Sequence, residues 1–162
     1  MTRAVMFSSA SDEWATPQAL FDQLHAEFHF GIDLAASRRN AKCEVYYSKK
    51  VDALSADCDW TMEAAHVRVG FCNPPYSRGL QGKFIEKAAR QRLRGFTTVM
   101  LLPARTDTKA FHAHIYNARR WRSREGVQIR LLPGRLKFGG ATNSAPFPSM
   151  VVIFKAERLA SS

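Results

Sequence analysis

His66-Val67-Arg68-Val69-Gly70-Phe71-Cys72 leads straight into Asn73-Pro74-Pro75-Tyr76. The first seven residues read as a strand, and the two prolines that follow end it, because proline has no N–H to give a sheet. Downstream, Leu80, Phe84, Ile85, Ala88 and Ala89 suit one side of a helix over about residues 80–94. Lys83, Lys87, Arg90 and Arg94 share another face, either a solvated stripe or a surface for DNA. Phe96-Thr97-Thr98-Val99-Met100-Leu101-Leu102 is a strand rich in branched residues, closed by Pro103. Asp107 is placed to cap a helix through Ala110, Phe111 and Ile115, and residues 127–132 and 150–154 read as two further strands.

Upstream, Phe30-Gly31-Ile32-Asp33-Leu34-Ala35 suits a buried strand with Asp33 at its end. Thr16-Pro17 opens a helix: Thr suits the N-cap and Pro the first helical position, and Leu20, Leu24 and Phe28 form one apolar face with Phe21 beside it. Residues 37–59 carry few periodic signals, so loops are expected there, with at most a short strand at Val45-Tyr46-Tyr47. Strands alternating with helices, several of them wholly apolar, predict an α/β fold with a largely parallel sheet. Ligands of such sheets bind at the carboxyl ends of the strands, where Asp33 and Asn73 both fall.

A length of 162 residues suits one domain, and 46% apolar with 23% charged residues is an ordinary globular composition. No apolar run reaches the roughly 18 residues of a membrane span, and residues 1–11 lack the apolar core of a signal peptide and are expected to be mobile. Cys43, Cys58 and Cys72 are odd in number and widely spaced, which argues against a disulfide framework or a zinc site and fits a reducing compartment. Neither a metal nor a membrane is therefore expected as a partner. The net charge of +10 is unevenly spread. Residues 1–77 hold seven Lys/Arg against ten Asp/Glu, whereas residues 78–137 hold fifteen against three. Such a lopsided basic half is either a soluble surface or the footprint of a polyanion, and phosphate neutralisation by itself says nothing of what is done to the nucleic acid.

Asn73-Pro74-Pro75-Tyr76 carries the chemistry. An exocyclic amine conjugated to a ring is a poor nucleophile, and it improves when both its hydrogens are held by acceptors that draw the nitrogen toward tetrahedral geometry. The Asn73 side-chain carbonyl and the Pro74 main-chain carbonyl are two such acceptors. Prolines 74 and 75 fix the backbone, so the acceptors are preorganised. Tyr76 offers a ring face on which a base could stack, worth about 1–3 kcal/mol against the cost of extruding it from a duplex. The plain alternative is an Asn-Pro turn with Tyr76 as a packing residue.

Six segments resemble, in this order, the small phage-type DNA N6-adenine methyltransferases of the Dam type. They are Asp12-Glu13-Trp14-Ala15-Thr16-Pro17, Asp33-Leu34-Ala35-Ala36-Ser37, Asn73-Pro74-Pro75-Tyr76-Ser77, Leu101-Leu102-Pro103-Ala104-Arg105, Gly134-Arg135-Leu136-Lys137-Phe138 and Ser144-Ala145-Pro146-Phe147-Pro148-Ser149. The resemblance runs over about residues 12–154. It implies a compact Rossmann-like class I methyltransferase fold, S-adenosylmethionine as methyl donor and adenine of double-stranded DNA as acceptor. It also implies a phage or prophage protein working in the cytoplasm of a bacterial host. A single domain over residues 12–157, with a tail at 158–162 and no separate target-recognition domain, is the organisation expected; monomer and homodimer both remain open. N4 of cytosine, another planar amine, or a DNA-binding module without catalysis are the alternatives.

Within that resemblance Trp14, Thr16 and Pro17 belong to a cofactor motif, in which free N–H groups at the helix start suit a carboxylate; an ordinary cap is the alternative for Thr16. Asp33 matches the acid of the cofactor strand, with Ala35 in the loop after it, and could accept from the cofactor's ammonium; a helix cap or surface carboxylate is its alternative. The glycine-rich turn usual after this acid is replaced by Ala35-Ala36-Ser37. Asp52 is better spaced than Glu44 for the cofactor's ribose or adenine. Arg78, Arg105, Arg122, Arg124, Arg135 and Lys137 are the expected DNA contacts. Phe147 could wall the base pocket beside Tyr76 or pack in the core.

Overall fold

The computed structural model describes residues 14–50, 52–63, 66–77 and 79–158. The expectations for residues 1–11, for Arg78 and for residues 159–162 lie outside the described residues. The order of elements is α1 (Gln18–Phe28), β1 (Ile32–Asp33), α2 (Trp60–Glu63), β2 (Val69–Cys72), α3 (Leu80–Leu93), β3 (Thr97–Pro103), a π-helical turn (Phe111–Ile115), β4 (Tyr116–Asn117), β5 (Arg122–Ser123), β6 (Val127–Leu131) and β7 (Ser149–Phe154). Five strands form one sheet in the order β1-β2-β3-β7-β6, and β4 with β5 forms a separate hairpin.

Adjacent strands pair in parallel over β1, β2 and β3. β7 runs antiparallel to both its neighbours, β3 and β6, so β6 points the same way as β1, β2 and β3; the sheet is largely parallel in strand direction, as expected, with β7 the reversed strand. An apolar run such as Ser149–Phe154, buried along its whole length, looks the same in sequence whichever way its neighbours point.

Side chains alternate across this sheet with period two, and each face is covered. Val99, Leu101, Val151 and Ile153 join Phe21 and Leu24 of α1, along with Phe30, Phe71 and Phe138. Met100, Leu102, Met150, Val152 and Phe154 pack instead with Phe84, Ile85 and Ala88 of α3 and with Trp60. Gly70 shows how tightly this second face is filled: a Cβ there would lie 2.9 Å from the Phe96 ring and 3.0 Å from Leu34.

Several boundaries differ from the sequence expectation. α1 starts at Gln18 with Pro17 in the capping position and no side-chain cap, so Thr16 does not cap it. β1 is two residues long: Leu34 N–H still donates to the Phe71 carbonyl at 2.8 Å, but the next N–H, that of Ala35, turns back to Asp33 Oδ1. β2 begins at Val69 rather than at residue 66. In place of a helix capped by Asp107, the Thr108 hydroxyl accepts from the Phe111 N–H and a π turn follows. In the 37–59 stretch Tyr46 makes an isolated parallel bridge with Asp33, within the segment that reads at most as a short strand.

The basic stripe of α3 is turned to structural use. Lys87 Nζ donates to the Ser55 and Cys58 carbonyls at 2.6 Å each and sits 5.9 Å from the centre of the Trp60 ring. Arg94 pairs with Asp59, and Arg90 with Glu86 one turn away. These bonds hold the 55–60 segment against the helix and leave Lys83 as the stripe member without a partner among the described residues.

Candidate active site

A cleft of about 790 Å³ opens over the carboxyl ends of β1 and β2. Trp14, Thr16, Asp33, Ala35, Asp52, Asn73, Pro74 and Pro75 all line it. The three parallel strands explain why: successive βα connections leave the sheet on this edge, so residues that end different strands meet there. Pro17 and Tyr76 are not among the lining residues.

Asn73 follows the last residue of β2, and its amide is held from one side only. Nδ2 donates to the Trp14 carbonyl and to Thr16 Oγ1, the latter at 3.0 Å. The Trp14 carbonyl can only accept, so it settles which end of the amide is nitrogen. Asn73 Oδ1 is consequently left buried with no hydrogen-bond partner among the described residues. The Pro74 carbonyl likewise accepts from no described backbone or side-chain donor. Buried acceptors are satisfied in the great majority of cases, so the buried Asn73 Oδ1, with the unpaired Pro74 carbonyl on the next residue, marks a place where a donor is to be supplied.

Thr16 thus has a different partner from the one expected of it. It is 4% exposed, and its hydroxyl faces Asn73 instead of capping α1. The 14–16 segment is itself clamped from behind: Gly139 N–H donates to the Ala15 carbonyl at 2.8 Å, and the Trp14 ring meets Phe138 and Phe147 edge-on at 5.2 and 5.3 Å. No periodic signal announces the bond between Thr16 and Asn73, which spans 57 residues of chain. Phe138, at 3% exposed, is likewise a part of the site region that sequence reading does not single out.

Asp33 is buried at the end of β1 and is the anchor of the loop after it. Oδ1 accepts from Ala35 N–H at 3.3 Å and Oδ2 from Lys42 N–H at 3.0 Å. Burial raises the carboxyl above its ordinary range, and these two amide bonds pull partly the other way. A carboxylate has about four acceptor positions, so capacity remains for a donor in the cleft. The two amides also explain how Ala35-Ala36-Ser37 replaces a glycine turn: the chain closes on the carboxylate, and no residue there needs a left-handed backbone. Asp52 is exposed, and its Oδ1 accepts from Leu54 N–H at 2.9 Å. Nearby, burial pushes the Cys43 thiol up to about 12 and the Cys72 thiol well above its usual range, so both stay protonated and unreactive at neutral pH.

Tyr76 is off the cleft and 7% exposed. Its hydroxyl donates to the Leu101 carbonyl at 3.4 Å, and its ring lies near-parallel to Trp14 at 6.5 Å and edge-on to Phe138 and Phe147 at 6.2 and 5.6 Å. Burial raises its hydroxyl far above the ordinary phenol range, so it remains a neutral donor. Here Tyr76 packs in an aromatic cluster whose members frame Trp14, and Phe147 belongs to the same cluster.

Among the expected DNA contacts, Arg105, Arg122, Arg135 and Lys137 are exposed. Arg124 is committed inward: Nε and Nη2 donate to the His112 carbonyl at 3.1 and 2.6 Å, tying the β4–β5 hairpin to the π turn. Among the described residues no group of three or more His, Cys, Asp or Glu side chains gathers as metal ligands, and no helix is long and apolar enough to cross a membrane.

The family model for DNA N-6-adenine-methyltransferase (Dam) matches residues 4–161 of the chain. The chain belongs to the Dam family. A DNA N-6-adenine-methyltransferase of Escherichia phage T1 is 34% identical over 108 residues, which is 66% of this chain and 42% of that protein. The Escherichia coli (strain K12) protein YfdM, which bears a provisional methyltransferase name, is 37% identical over 67 residues, 40% of this chain and 71% of that protein. This Dam-family chain therefore spans about two fifths of the length of the phage T1 relative.

Proposed function

We propose that this chain is a site-specific DNA-methyltransferase acting on the N6 amino group of adenine, with S-adenosylmethionine as methyl donor. The observation that carries this reading is the pair of free acceptors, Asn73 Oδ1 and the Pro74 carbonyl, at the wall of the cleft. The family match and the phage T1 relative's name support adenine as the base and DNA as its carrier.

The cleft fits the cofactor in size and in donor chemistry. Its volume lies in the range that small-molecule and cofactor sites occupy, and it joins a buried carboxylate to an apolar wall. Asp33 would receive the cofactor's ammonium, directly or through water, and Asp52 a hydroxyl of its ribose. When bound, S-adenosylmethionine supplies a methyl group already activated by sulfonium, so no protein nucleophile is needed. Asn73 and Pro74 accept the two amino hydrogens and hold the nitrogen lone pair toward the cleft. Trp14 and Thr16 keep the Asn73 amide from turning, so its oxygen is in place before the base arrives.

The same reading takes the fold as Rossmann-like class I. It is supported by the parallel trio with Asp33 and Asn73 at strand ends, and by an antiparallel β7 inserted between β3 and β6. It takes residues 12–157 as one methyltransferase domain, acting on DNA in a bacterial cytoplasm. Purified protein with labelled cofactor is expected to methylate an adenine-containing duplex, and Asn73→Ala to lose about 10²–10³-fold or more in turnover, the cost typical of removing one preorganised electrostatic contact. Transfer by Asn73→Ala at the wild-type rate sinks the reading.

A further inference from the structure

The β4–β5 hairpin, Tyr116–Asn117 with Arg122–Ser123, stands outside the sheet and serves no part of the cleft. Residues 116–124 contain four arginines and no acid. At the tip, Trp121 is 82% exposed and holds a left-handed backbone, φ 51°. No ring, cation or hydrogen-bond partner meets its indole among the described residues. A large aromatic left in water and a bulky residue at positive φ are each disfavoured, and one position combines both. Such outliers persist where the surrounding structure over-determines them.

The surroundings do so here. Asn117 Oδ1 accepts from the Arg119 and Arg120 N–H groups at 3.1 and 3.3 Å, and Arg120 N–H also reaches the Asn117 carbonyl at 3.2 Å. The Arg124 guanidinium grips the His112 carbonyl, and Arg124 N–H donates to the Ile115 carbonyl at 2.8 Å. The turn is thus fixed from both strands. Between the two strands of the hairpin and Glu125 lies a concavity of about 120 Å³ lined by Asn117, Arg120, Arg122, Ser123, Arg124 and Glu125. Arg119, Arg120 and Arg122 have no ion-pair partner among the described residues. The π turn that carries the hairpin follows Ala110, whose Cβ lies 3.5 Å from where a Cβ on Gly82 of α3 would be, and α3 begins beside the cleft at Leu80.

We propose that this hairpin is a second DNA contact, in which the Trp121 indole stacks on a base and Arg119, Arg120 and Arg122 hold the flanking phosphates. It rests on the reading of DNA as substrate. Tryptophan and arginine are also common at protein interfaces, but residues 116–124 carry four arginines and no acid, and this single sign of charge around a stacking ring matches a polyanion better than a protein surface. An indole already exposed on a backbone that is fixed from both strands also spares part of the cost of ordering it on binding.

Duplex binding by fluorescence anisotropy over a range of salt tests this, with cofactor titration of every variant as the control. Trp121→Ala is expected to weaken DNA binding by roughly 5- to 150-fold while leaving the salt slope unchanged. Trp121→Phe is expected to keep most of the affinity, and Trp121→Gly to lose it while melting no lower than wild type. Arg120→Ala with Arg122→Ala is expected to flatten the log–log salt slope by about 0.9 for each phosphate that is no longer neutralised. Cofactor affinity is expected to stay at the wild-type value throughout. Trp121→Ala binding DNA as tightly as wild type overturns the hairpin's role alone, as does a wild-type dimer that Trp121→Ala converts to monomer in sedimentation. Wild-type protein that binds cofactor but no DNA overturns both this role and the proposed function.

Discussion

The cleft and the hairpin both leave groups without partners, in opposite ways. At the cleft the unpartnered atoms are two carbonyl oxygens, one of them fully buried, and every neighbour is locked: Asn73 by Trp14 and Thr16, Asp33 by Ala35 and Lys42. At the hairpin the groups without a partner among the described residues are an exposed indole and three exposed arginine side chains. A buried orphan is costly and can be satisfied only by a donor of one shape at one place. An exposed cation or ring costs little and accepts many partners. On the proposed roles the difference separates chemistry from attachment: substitutions at the cleft are expected to act on turnover or on the cofactor, and those at the hairpin on DNA affinity and its salt dependence.

The largest effect after loss of Asn73 itself is expected at Asp33. Asp33→Asn removes the charge proposed to face the cofactor's ammonium and is expected to weaken cofactor binding by roughly 10- to 150-fold in calorimetry, the range of a charge-assisted hydrogen bond. The pH dependence follows from the raised carboxyl. With Asp33 in its proposed role, cofactor binding requires the carboxylate, so affinity is expected to be full above the raised value and to fall as pH drops through it, earlier than an ordinary aspartate would allow. Asp33→Asn is expected to abolish that dependence. An unchanged pH profile in the variant removes Asp33 from the cofactor site.

Thr16 is a positioning residue, and its expected effect is smaller. Thr16→Val keeps the shape but deletes the bond to Asn73 Nδ2, with turnover expected to fall about tenfold, the worth of a hydrogen bond of ordinary strength, while the KM for DNA holds. Thr16→Ser is expected to restore most of the rate. A raised KM with unchanged turnover in Thr16→Val contradicts the assignment.

Two substitutions sharpen the comparison from the side of stability. Gly70→Ala forces a methyl group toward Phe96 and Leu34 and is expected to cost about 1–3 kcal/mol in denaturant unfolding. Lys87→Met releases the Ser55 and Cys58 carbonyls and is expected to cost about 1–3 kcal/mol, with the cofactor wall loosened. Neither is expected to change the salt slope of DNA binding.

What is legible in the sequence and what is not divide along the range of the contacts. Asn73 and Asp33 are legible because an apolar run followed by a polar residue marks a strand end, a signal carried within about seven residues. The buried stretches 97–103 and 149–154 are legible as strands for the same reason, but their mutual direction is not, since direction depends on where the intervening 45 residues take the chain. Thr16 looks like a cap because Thr-Pro before a helix is a local pattern, whereas its bond to Asn73 is a tertiary one. Tyr76 reads as a stacking face, yet its burial in a cluster with Trp14, Phe138 and Phe147 depends on a loop more than 60 residues away. Trp121 is visible only as part of a basic stretch; its exposure and its left-handed backbone belong to the folded hairpin.

The central claim is that Asn73 Oδ1 and the Pro74 carbonyl accept the two hydrogens of an adenine amino group. The most direct measurement is mass spectrometry of nucleosides digested from a duplex of mixed sequence after incubation with the protein and S-adenosylmethionine. N6-methyladenine produced by wild-type protein, and absent with Asn73→Ala that still binds the cofactor, is the result expected. N4-methylcytosine as the product would contradict the choice of base, and N6-methyladenine formed undiminished by Asn73→Ala would contradict the mechanism.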